Sequence, residues 1–322
     1  MSALHEVVSV LPQGRLVFGL HLPIAAQSLS FAQGWEADCG PAEMRRIAEA
    51  ADRLGYFYLA VSDHIAIPRA LAPRMSTVWY DTVATLAWCA AATTRIRLMS
   101  YVAVLPYRHP LDSAKAYATV DALSGGRLIL GVGTGHAREE FEALGLDFTK
   151  RGRLLDEAID AVAGAFREEY PEHEGAAFRY RGVGLSPRPV QTPRPPIWVG
   201  GSSRAAIRRA AERGDGWLPQ GPPEMGMDGA IDLLRSHRAK VRGDAPIEIG
   251  ENAPWMYVGA PAWELPDGSR SGSAEQLAEP LRAAAARGVG HMGIRLRARS
   301  VDEQIDQLEA FMREVAPMVN DS

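Results

Sequence analysis

The sequence predicts an α/β fold, a single (β/α)₈ TIM barrel, from three observations. Short apolar runs alternate with amphipathic helical patterns along the whole chain of 322 residues, and such alternation requires parallel strands with helical crossovers. Eight strand–helix pairs can be counted, which is the number that closes a barrel of about 250 residues or more. No shift in composition marks a linker, so we expect residues 1–322 to form one domain.

The first half of the chain contains four strand–helix pairs. The predicted strands, rich in apolar residues, cover residues 16–22, 56–61, 97–104 and 127–132. The predicted helices cover residues 41–54, 81–92, 110–123 and 150–168. The first helix illustrates the reasoning, because Pro41 stands in its first turn, Gly55 follows its last residue, and apolar residues recur between them at helical spacing.

The second half repeats this pattern. Its predicted strands cover residues 196–199, 216–218, part of 247–258, and 291–296, and its predicted helices cover residues 203–213, 230–242, 273–287 and 301–315. Residues 170–195, rich in Pro, Gly and Arg, are predicted to be an insertion between helix 4 and strand 5, with room for a small hairpin. The loop 259–272 follows the seventh strand and is a candidate lid, so the nearby Trp255 and Trp263 are expected to face a substrate. His291, in the last strand, is expected to pack in the core.

Composition and charge exclude several classes of protein. The net charge is −4 without a basic block, so we expect no nucleic-acid partner. No apolar run is long enough to cross a bilayer, and residues 1–13 lack the pattern of a signal peptide. Cys39 and Cys89, the two cysteines, do not have metal-ligand spacing and suit a reducing compartment. We therefore expect a cytoplasmic protein with a small-molecule substrate, no membrane partner and no metal.

The active site of a (β/α)₈ barrel lies at the C-terminal ends of its strands. The second predicted strand ends in Asp63 and His64. A histidine there can exchange a proton with a substrate near neutral pH, and a carboxylate can orient it. Both residue types are equally ordinary in a turn after a strand, so both interpretations remain open.

Two glycine-rich turns follow the fourth and fifth strands. Residues 131–136 read GVGTGH, and the alternating glycines would let the backbone approach a ligand, although the third glycine of a dinucleotide fingerprint is missing. Gly200, Gly201 and Ser202 lie between the fifth strand and a helix, where amides, the helix dipole and a hydroxyl can bind a phosphate. The alternatives are a tight turn in the first case and a helix cap in the second.

Seven segments, in this order and spacing, carry a resemblance to a known family. They are residues 48–64 (AEAADRLGYFYLAVSDH), 95–110 (RIRLMSYVAVLPYRHP), 119–135 (TVDALSGGRLILGVGTG), 151–161 (RGRLLDEAIDA), 187–203 (PRPVQTPRPPIWVGGSS), 213–218 (RGDGWL) and 272–291 (GSAEQLAEPLRAAAARGVGH). The sequence resembles the luciferase-like monooxygenase superfamily and, within it, the branch of F420-dependent oxidoreductases.

The resemblance implies where a cofactor would bind. A tricyclic ring would lie across the barrel mouth, supported by a bulge with a non-proline cis peptide at the position of Tyr101 and Val102. The pair Asp63 and His64 would contact the ring or the substrate near the hydride-transfer atom. The turn at Thr134 and Gly135 and the segment Gly200, Gly201 and Ser202 would hold the cofactor's side chain and phosphate.

One departure from the F420 branch bears on the substrate. Its sugar-phosphate and alcohol dehydrogenases have a glutamate directly after the Thr-Gly turn, where this sequence has His136. The resemblance therefore implies either that His136 transfers the proton or that the substrate is of another kind.

The first hypothesis is an F420-dependent oxidoreductase that moves a hydride between the deazaflavin and a C=C, C=N or carbonyl/alcohol substrate, with His64 or His136 handling the proton. The alternative is a reduced-FMN-dependent monooxygenase on the same scaffold, and a third possibility is a non-catalytic cofactor-binding protein. The resemblance also implies a homodimer and a separate reductase that supplies the reduced cofactor.

Overall fold

The structure is a computed structural model of the chain, and it describes residues 6–320. Eight strands of the described chain form the barrel. Strands β1 to β8 are Val17–His21, Tyr58–Val61, Arg97–Ser100, Leu128–Gly133, Ile197–Gly200, Gly216–Leu218, Glu248–Val258 and His291–Leu296. Helices α1 to α8 follow them in order and are Pro41–Leu54, Thr82–Ala92, Pro110–Ser124, Arg151–Arg167, Arg204–Arg213, Gly226–Arg242, Ala274–Ala286 and Val301–Ala310.

The barrel is closed because each of these strands pairs in parallel with two neighbours. Gly19 of β1 lies opposite Tyr58 of β2, and Val17 lies opposite His291 of β8. The remaining pairs follow chain order from β2 to β8. The (β/α)₈ barrel predicted from the alternating pattern is therefore confirmed.

The structure adds detail that the pattern did not resolve. The third predicted strand is interrupted by a cis peptide between Tyr101 and Val102, and Ala103–Val104 then pairs with β4. The insertion between α4 and β5 does carry a hairpin, His173–Glu174 with Arg179–Tyr180. A short helix, Arg138–Ala143, after β4 and a strand, Arg270–Gly272, after β7 were not predicted.

Side chains that alternate along the strands fill the barrel interior. Tyr58 from β2, Trp198 from β5 and His291 from β8 contact one another, which strands so far apart around the barrel can do only across its interior. His291 is 1% exposed and stacks on Trp198 at 4.2 Å, so the prediction that it packs in the core is confirmed. Burial lowers the pKa of His291 to about 3, which keeps the imidazole neutral.

The N-terminal segment closes the bottom of the barrel. The Glu248 carboxylate at the start of β7 accepts hydrogen bonds from the amides of Val10 (2.8 Å) and Leu11 (2.9 Å), from the hydroxyl of Ser9 (2.8 Å) and from Nε1 of Trp198 (2.7 Å). Burial nevertheless raises the pKa of Glu248. A segment at one end of the chain is thus held by a strand that lies more than two hundred residues away.

Within residues 6–320, no helix has the length and apolarity that a bilayer crossing would need. The same residues contain no group of three or more His, Cys, Asp or Glu side chains placed to hold a metal ion. The prediction that residues 1–13 are not a signal peptide falls partly on residues 1–5, which lie outside the described residues.

Candidate active site

An open cavity of about 470 Å³ lies at the C-terminal ends of β2 to β5. This is the end of the barrel at which the sequence placed the site. Every predicted site residue except Ser202 lines it: Asp63, His64, Tyr101, Val102, Thr134, Gly135, His136, Gly200 and Gly201. Segments that are far apart in the sequence therefore meet in one place.

His64 is held in one orientation by a buried carboxylate. Its Nδ1 lies 2.8 Å from Oε2 of Glu140, and its ring packs edge-on against Trp79 with 4.5 Å between centroids. An ionised carboxylate can only accept hydrogen bonds, so the proton of neutral His64 resides on Nδ1. The Nε2 atom of His64 is then free to accept a proton, and it can donate one when the ring is charged.

Glu140 is the functional residue that sequence reasoning missed. Its Oε1 accepts the amides of Ile65 (2.7 Å) and Ala66 (3.1 Å), and its Oε2 accepts both His64 and the hydroxyl of Tyr107 (2.8 Å). Although burial opposes ionisation, these hydrogen bonds and the nearby His64 ring leave the pKa of Glu140 below its usual range. The sequence shows it only as a glutamate five residues after Gly135, where it looks like a residue on an exposed helix surface.

Asp63 is already saturated with partners. Its carboxylate forms a two-pronged ion pair with Arg108, at 2.8 Å and 3.0 Å, and also accepts the amide of Val104 at 2.9 Å. The side chain is almost fully buried, whereas Arg108 keeps 19% of its side-chain surface exposed. These contacts favour a role in fixing the β2 and β3 loops over direct contact with a substrate, and the predicted catalytic role of Asp63 stays a prediction.

His136 lies on the exposed rim of the cavity. Its ring centroid is 5.4 Å from that of His64, and the two planes are nearly perpendicular. Loss of solvent around the ring and the proximity of His64 lower the pKa of His136. A mostly neutral imidazole therefore stands where the resemblance placed a proton-transferring residue.

The cavity floor is made of backbone that only glycine permits. A Cβ at Gly133 would lie 2.4 Å from Cγ2 of Val102, and a Cβ at Gly200 would lie 2.7 Å from Cγ1 of the same side chain. Val102, presented by the cis peptide, thus rests directly on the glycine backbone of two strands. The result is a low platform beneath an open cavity, and it fits the flat tricyclic ring of a flavin or deazaflavin.

Tyr101 closes the barrel beside this platform. Its hydroxyl accepts a hydrogen bond from Asn252 at 2.8 Å and donates to the carbonyl of Pro219 at 3.3 Å. Its ring meets that of His21 edge-on, with 4.3 Å between centroids. Neither His21 nor Asn252 was singled out in the sequence.

In the glycine-serine segment after β5, the two serine hydroxyls have different partners. The Ser203 hydroxyl caps α5 by accepting the amide of Ala206 at 3.2 Å. The Ser202 hydroxyl instead holds the next loop, donating to the carbonyl of Gly221 (2.5 Å) and accepting the amide of Gln220 (3.1 Å). The amides of Ser202 and Ser203 bond to no residue within 6–320, so they are available to an anion. Phosphate binding here stays a prediction.

A second and much smaller cavity, of about 40 Å³, opens beside the first, between β1, β2 and β8. The two cavities share Phe31 and Ser62. Trp255 lines this second cavity, as expected of a tryptophan near the loop 259–272. Trp263 instead donates its Nε1 hydrogen to Glu303 at 3.0 Å and lines neither of these two cavities.

A closed (β/α)₈ barrel, glycine backbone packed under an inserted valine, and a histidine oriented by a carboxylate meet at one cavity. The sequence pattern of the luciferase-like monooxygenases matches residues 18–257. The chain belongs to this family, and it is an oxidoreductase-type enzyme of the flavin and deazaflavin class.

Individual relatives point to more than one cofactor. The chain is 34% identical over 215 residues to an uncharacterised protein of Mycobacterium tuberculosis, covering 63% of this chain and 74% of the relative. It is 30% identical over 222 residues to the FMNH2-dependent dimethylsulfone monooxygenase of Pseudomonas putida, covering 68% of this chain and 58% of the relative. The coenzyme F420-dependent tetrahydromethanopterin reductase of Methanopyrus kandleri has the same fold, with a TM-score of 0.74 at 16% identity over 95% of this chain and 99% of that one.

Proposed function

We propose that the protein is an F420-dependent oxidoreductase that transfers a hydride between the deazaflavin and a small organic substrate. One observation carries the proposal: the oriented His64 and the platform of Val102, Gly133 and Gly200 line the same open cavity. The cofactor, when bound, supplies the hydride chemistry, and the barrel supplies orientation, exclusion of water and the proton.

The residues of the chain would divide this work between binding and proton transfer. Val102 would support the ring, and the turn at Thr134 and Gly135 would hold its side chain. Gly200 with the free amides after Gly201 would bind the phosphate. His64 would exchange the substrate proton through Nε2, because Glu140 engages its other ring nitrogen.

His136 is proposed as a second proton carrier on the rim. Its ring lies edge-on against that of His64, with 5.4 Å between the centroids, so both imidazoles could reach one substrate oxygen in the cavity. Its lowered pKa keeps it neutral near pH 7, in the form that accepts a proton.

A reduced-FMN-dependent monooxygenase is the second candidate. It is favoured by the Pseudomonas putida relative, whose name specifies FMNH2. A flavin and a deazaflavin share the same ring outline, so the platform suits both. For either cofactor we propose a separate reductase as partner, a homodimer in solution and a cytoplasmic location.

Anaerobic titration of the purified protein with F420 and with FMN, each oxidised and reduced, decides between the two candidates. Ring fluorescence reports binding. Tight F420 binding with weak FMN binding supports the hydride-transfer enzyme. The opposite preference, together with substrate-coupled oxygen uptake in a separate aerobic assay, supports the monooxygenase. Binding of neither cofactor refutes both.

The role of His64 is tested by His64→Ala, with His237→Ala as the matched control. His237 also pairs with a glutamate, Glu212 at 2.8 Å, but lies on α6 away from the cavity. Turnover of reduced F420 by a panel of aldehydes and enones should fall about 10²–10⁴-fold in the His64 variant, without a matching loss of cofactor affinity. Unchanged turnover removes His64 from the mechanism.

A further inference from the structure

The last strand directs an arginine into the mouth of the barrel. Alternate residues of a strand face the same side. His291 of β8 stacks on Trp198 inside the barrel, and a Cβ at Gly293 would lie 2.6 Å from Oδ1 of Asn252, so this face of β8 is the interior one. Arg295 is next on the same face, at the C-terminal end of the strand, and it lines the second cavity.

The guanidinium of Arg295 forms no hydrogen bond or ion pair within residues 6–320. It lies over the ring of Trp255, with 6.0 Å to the centroid. Two other arginines show the usual arrangement, since buried Arg194 is paired with Asp215 and buried Arg127 donates to several carbonyl groups. Arg295, by contrast, is a half-buried arginine that faces a cavity without an acceptor among the described residues.

The surroundings of Arg295 favour a bound anion. Arg297 also lies over the ring of Trp255, at 4.0 Å from its centroid, so two cations lie near one tryptophan. The carboxylate that also lines the cavity, Glu36, is engaged by the amides of Ile24 (2.7 Å) and Gln33 (2.8 Å), and burial raises its pKa. Glu36 is thus engaged by backbone amides and forms no ion pair with Arg295.

His21 supplies a second polar atom without a partner. It stands at the end of β1 and lines the same cavity, and its Nε2 is buried without a hydrogen bond to any described residue. Burial and the charge of Arg295 lower the pKa of His21 to about 3, so the ring is neutral at pH 7. A neutral imidazole can donate one hydrogen bond to an oxyanion.

The rest of this cavity is mainly apolar. Leu20, Pro23, Phe31, Trp255 and Ile294 contribute to its walls. Through Phe31 and Ser62 it adjoins the cavity that contains the glycine platform. A molecule bound here could place one end beside the cofactor position while its other end meets Arg295.

We propose that the substrate is a small organic anion whose carboxylate, sulfonate or phosphate group binds Arg295 in the second cavity, beside His21, while the rest of the molecule lies in the first cavity. This inference rests on the proposed function, because it names the substrate class for that site. Arginine suits the task, since its planar fork matches a carboxylate or phosphate with two parallel hydrogen bonds.

Calorimetric titration with three probe pairs tests the proposal: benzoate against benzamide, phenyl phosphate against phenol, and methanesulfonate against dimethylsulfone. At least one anion should bind the wild-type protein about tenfold more tightly than its neutral partner. Arg295→Gln should abolish that preference, and Arg295→Lys should retain part of it. Arg299→Gln is the matched control, because Arg299 is exposed and paired with Glu303 outside the cavity.

Three results overturn the proposal: no preference for any anion, an unchanged preference in Arg295→Gln, or an equal loss in Arg299→Gln. Since Arg295 makes no hydrogen bond in the described chain, the glutamine variant should fold normally, and its Tm is checked first. Cofactor fluorescence titration of the same variants separates the two levels of inference. Weak cofactor binding by the wild-type protein refutes the proposed function. If only the Arg295→Gln variant binds the cofactor weakly, and it still binds the anion, then Arg295 contacts the cofactor and the substrate proposal is overturned.

Discussion

Replacing Glu140 by glutamine should reverse the tautomer of His64. In the native protein two donors meet each carboxylate oxygen of Glu140, and His64 is one of them. Glutamine has the same shape but only one acceptor oxygen. If that oxygen keeps the two backbone amides, the new NH2 group faces His64, and the imidazole must accept at Nδ1 and carry its proton on Nε2.

The cost of this change follows from the contacts. Four hydrogen bonds lose a charged acceptor, and bonds to charged groups contribute about 1.5–3 kcal/mol against about 0.5–1.5 kcal/mol for neutral ones, so we expect a loss of about 1–1.5 kcal/mol per bond, or about 4–6 kcal/mol in all. The unfolding entropy is about 2.1 cal/mol/K per residue, or about 0.68 kcal/mol/K for 322 residues, which converts the loss into a Tm lower by about 6–9 °C.

Two measurements check this prediction without a known substrate. Long-range ¹⁵N–¹H NMR spectra of histidine-labelled protein report the tautomer of His64, assigned by comparison with His64→Ala, and calorimetry reports the Tm. Glu139→Gln is the control, because it makes the same change at the exposed neighbouring residue. The reasoning is refuted if Glu140→Gln keeps the Nδ1–H tautomer and its Tm stays within about 1 °C of the wild type.

Three further predictions concern the same site. Because hydrogen bonds lower the pKa of Glu140, its stabilising contribution is full above the usual glutamate pKa of about 4.3 and is lost as the pH falls below it. The unfolding free energy of the wild type, measured in urea, should therefore decrease more steeply in acid than that of Glu140→Gln. Parallel plots of the two unfolding free energies against pH would contradict this. Asp63→Asn leaves Arg108 without its ionic partner and should cost about 3–5 kcal/mol by denaturant unfolding; a stable variant with lost turnover would instead support a catalytic Asp63. Gly200→Ala should bring a new methyl group against Val102, lower the free energy of unfolding by about 1–3 kcal/mol and weaken cofactor binding. Adding Val102→Ala to this variant should restore most of the lost stability. If it does not, the clash lies elsewhere.

The barrel could be predicted because its pattern repeats. Pro41 and Gly55 delimit α1 in the sequence as they do in the structure, where Gly55 adopts the left-handed conformation with φ 87°. Periodicity could not reveal the helix Arg138–Ala143, since it is too short to show a repeating apolar face.

The candidate site could be predicted only where residues follow a strand directly. His64 and the glycine turns satisfy this condition, and the cavity contains them. Glu140 does not, because its role depends on a contact with a residue 76 positions away, and the sequence shows only one glutamate among several. The position of Arg295 could not be predicted for another reason. A shift of one residue in the register of β8 would turn its side chain from the barrel interior to the outside, and the sequence does not fix this register.

The hydrogen bonds between Glu248 and residues 9–11 have a consequence for synthesis on the ribosome. The β1 strand also pairs with β8, Val17 opposite His291, so both bottom and wall are completed by residues made more than two hundred residues after β1 and residues 9–11. Closure of the barrel therefore requires contacts between segments that are far apart in the sequence, and such contacts are intrinsically slow to form. Until those late strands leave the exit tunnel, β1 presents an unpaired edge, and nascent chains are open to association with one another through it.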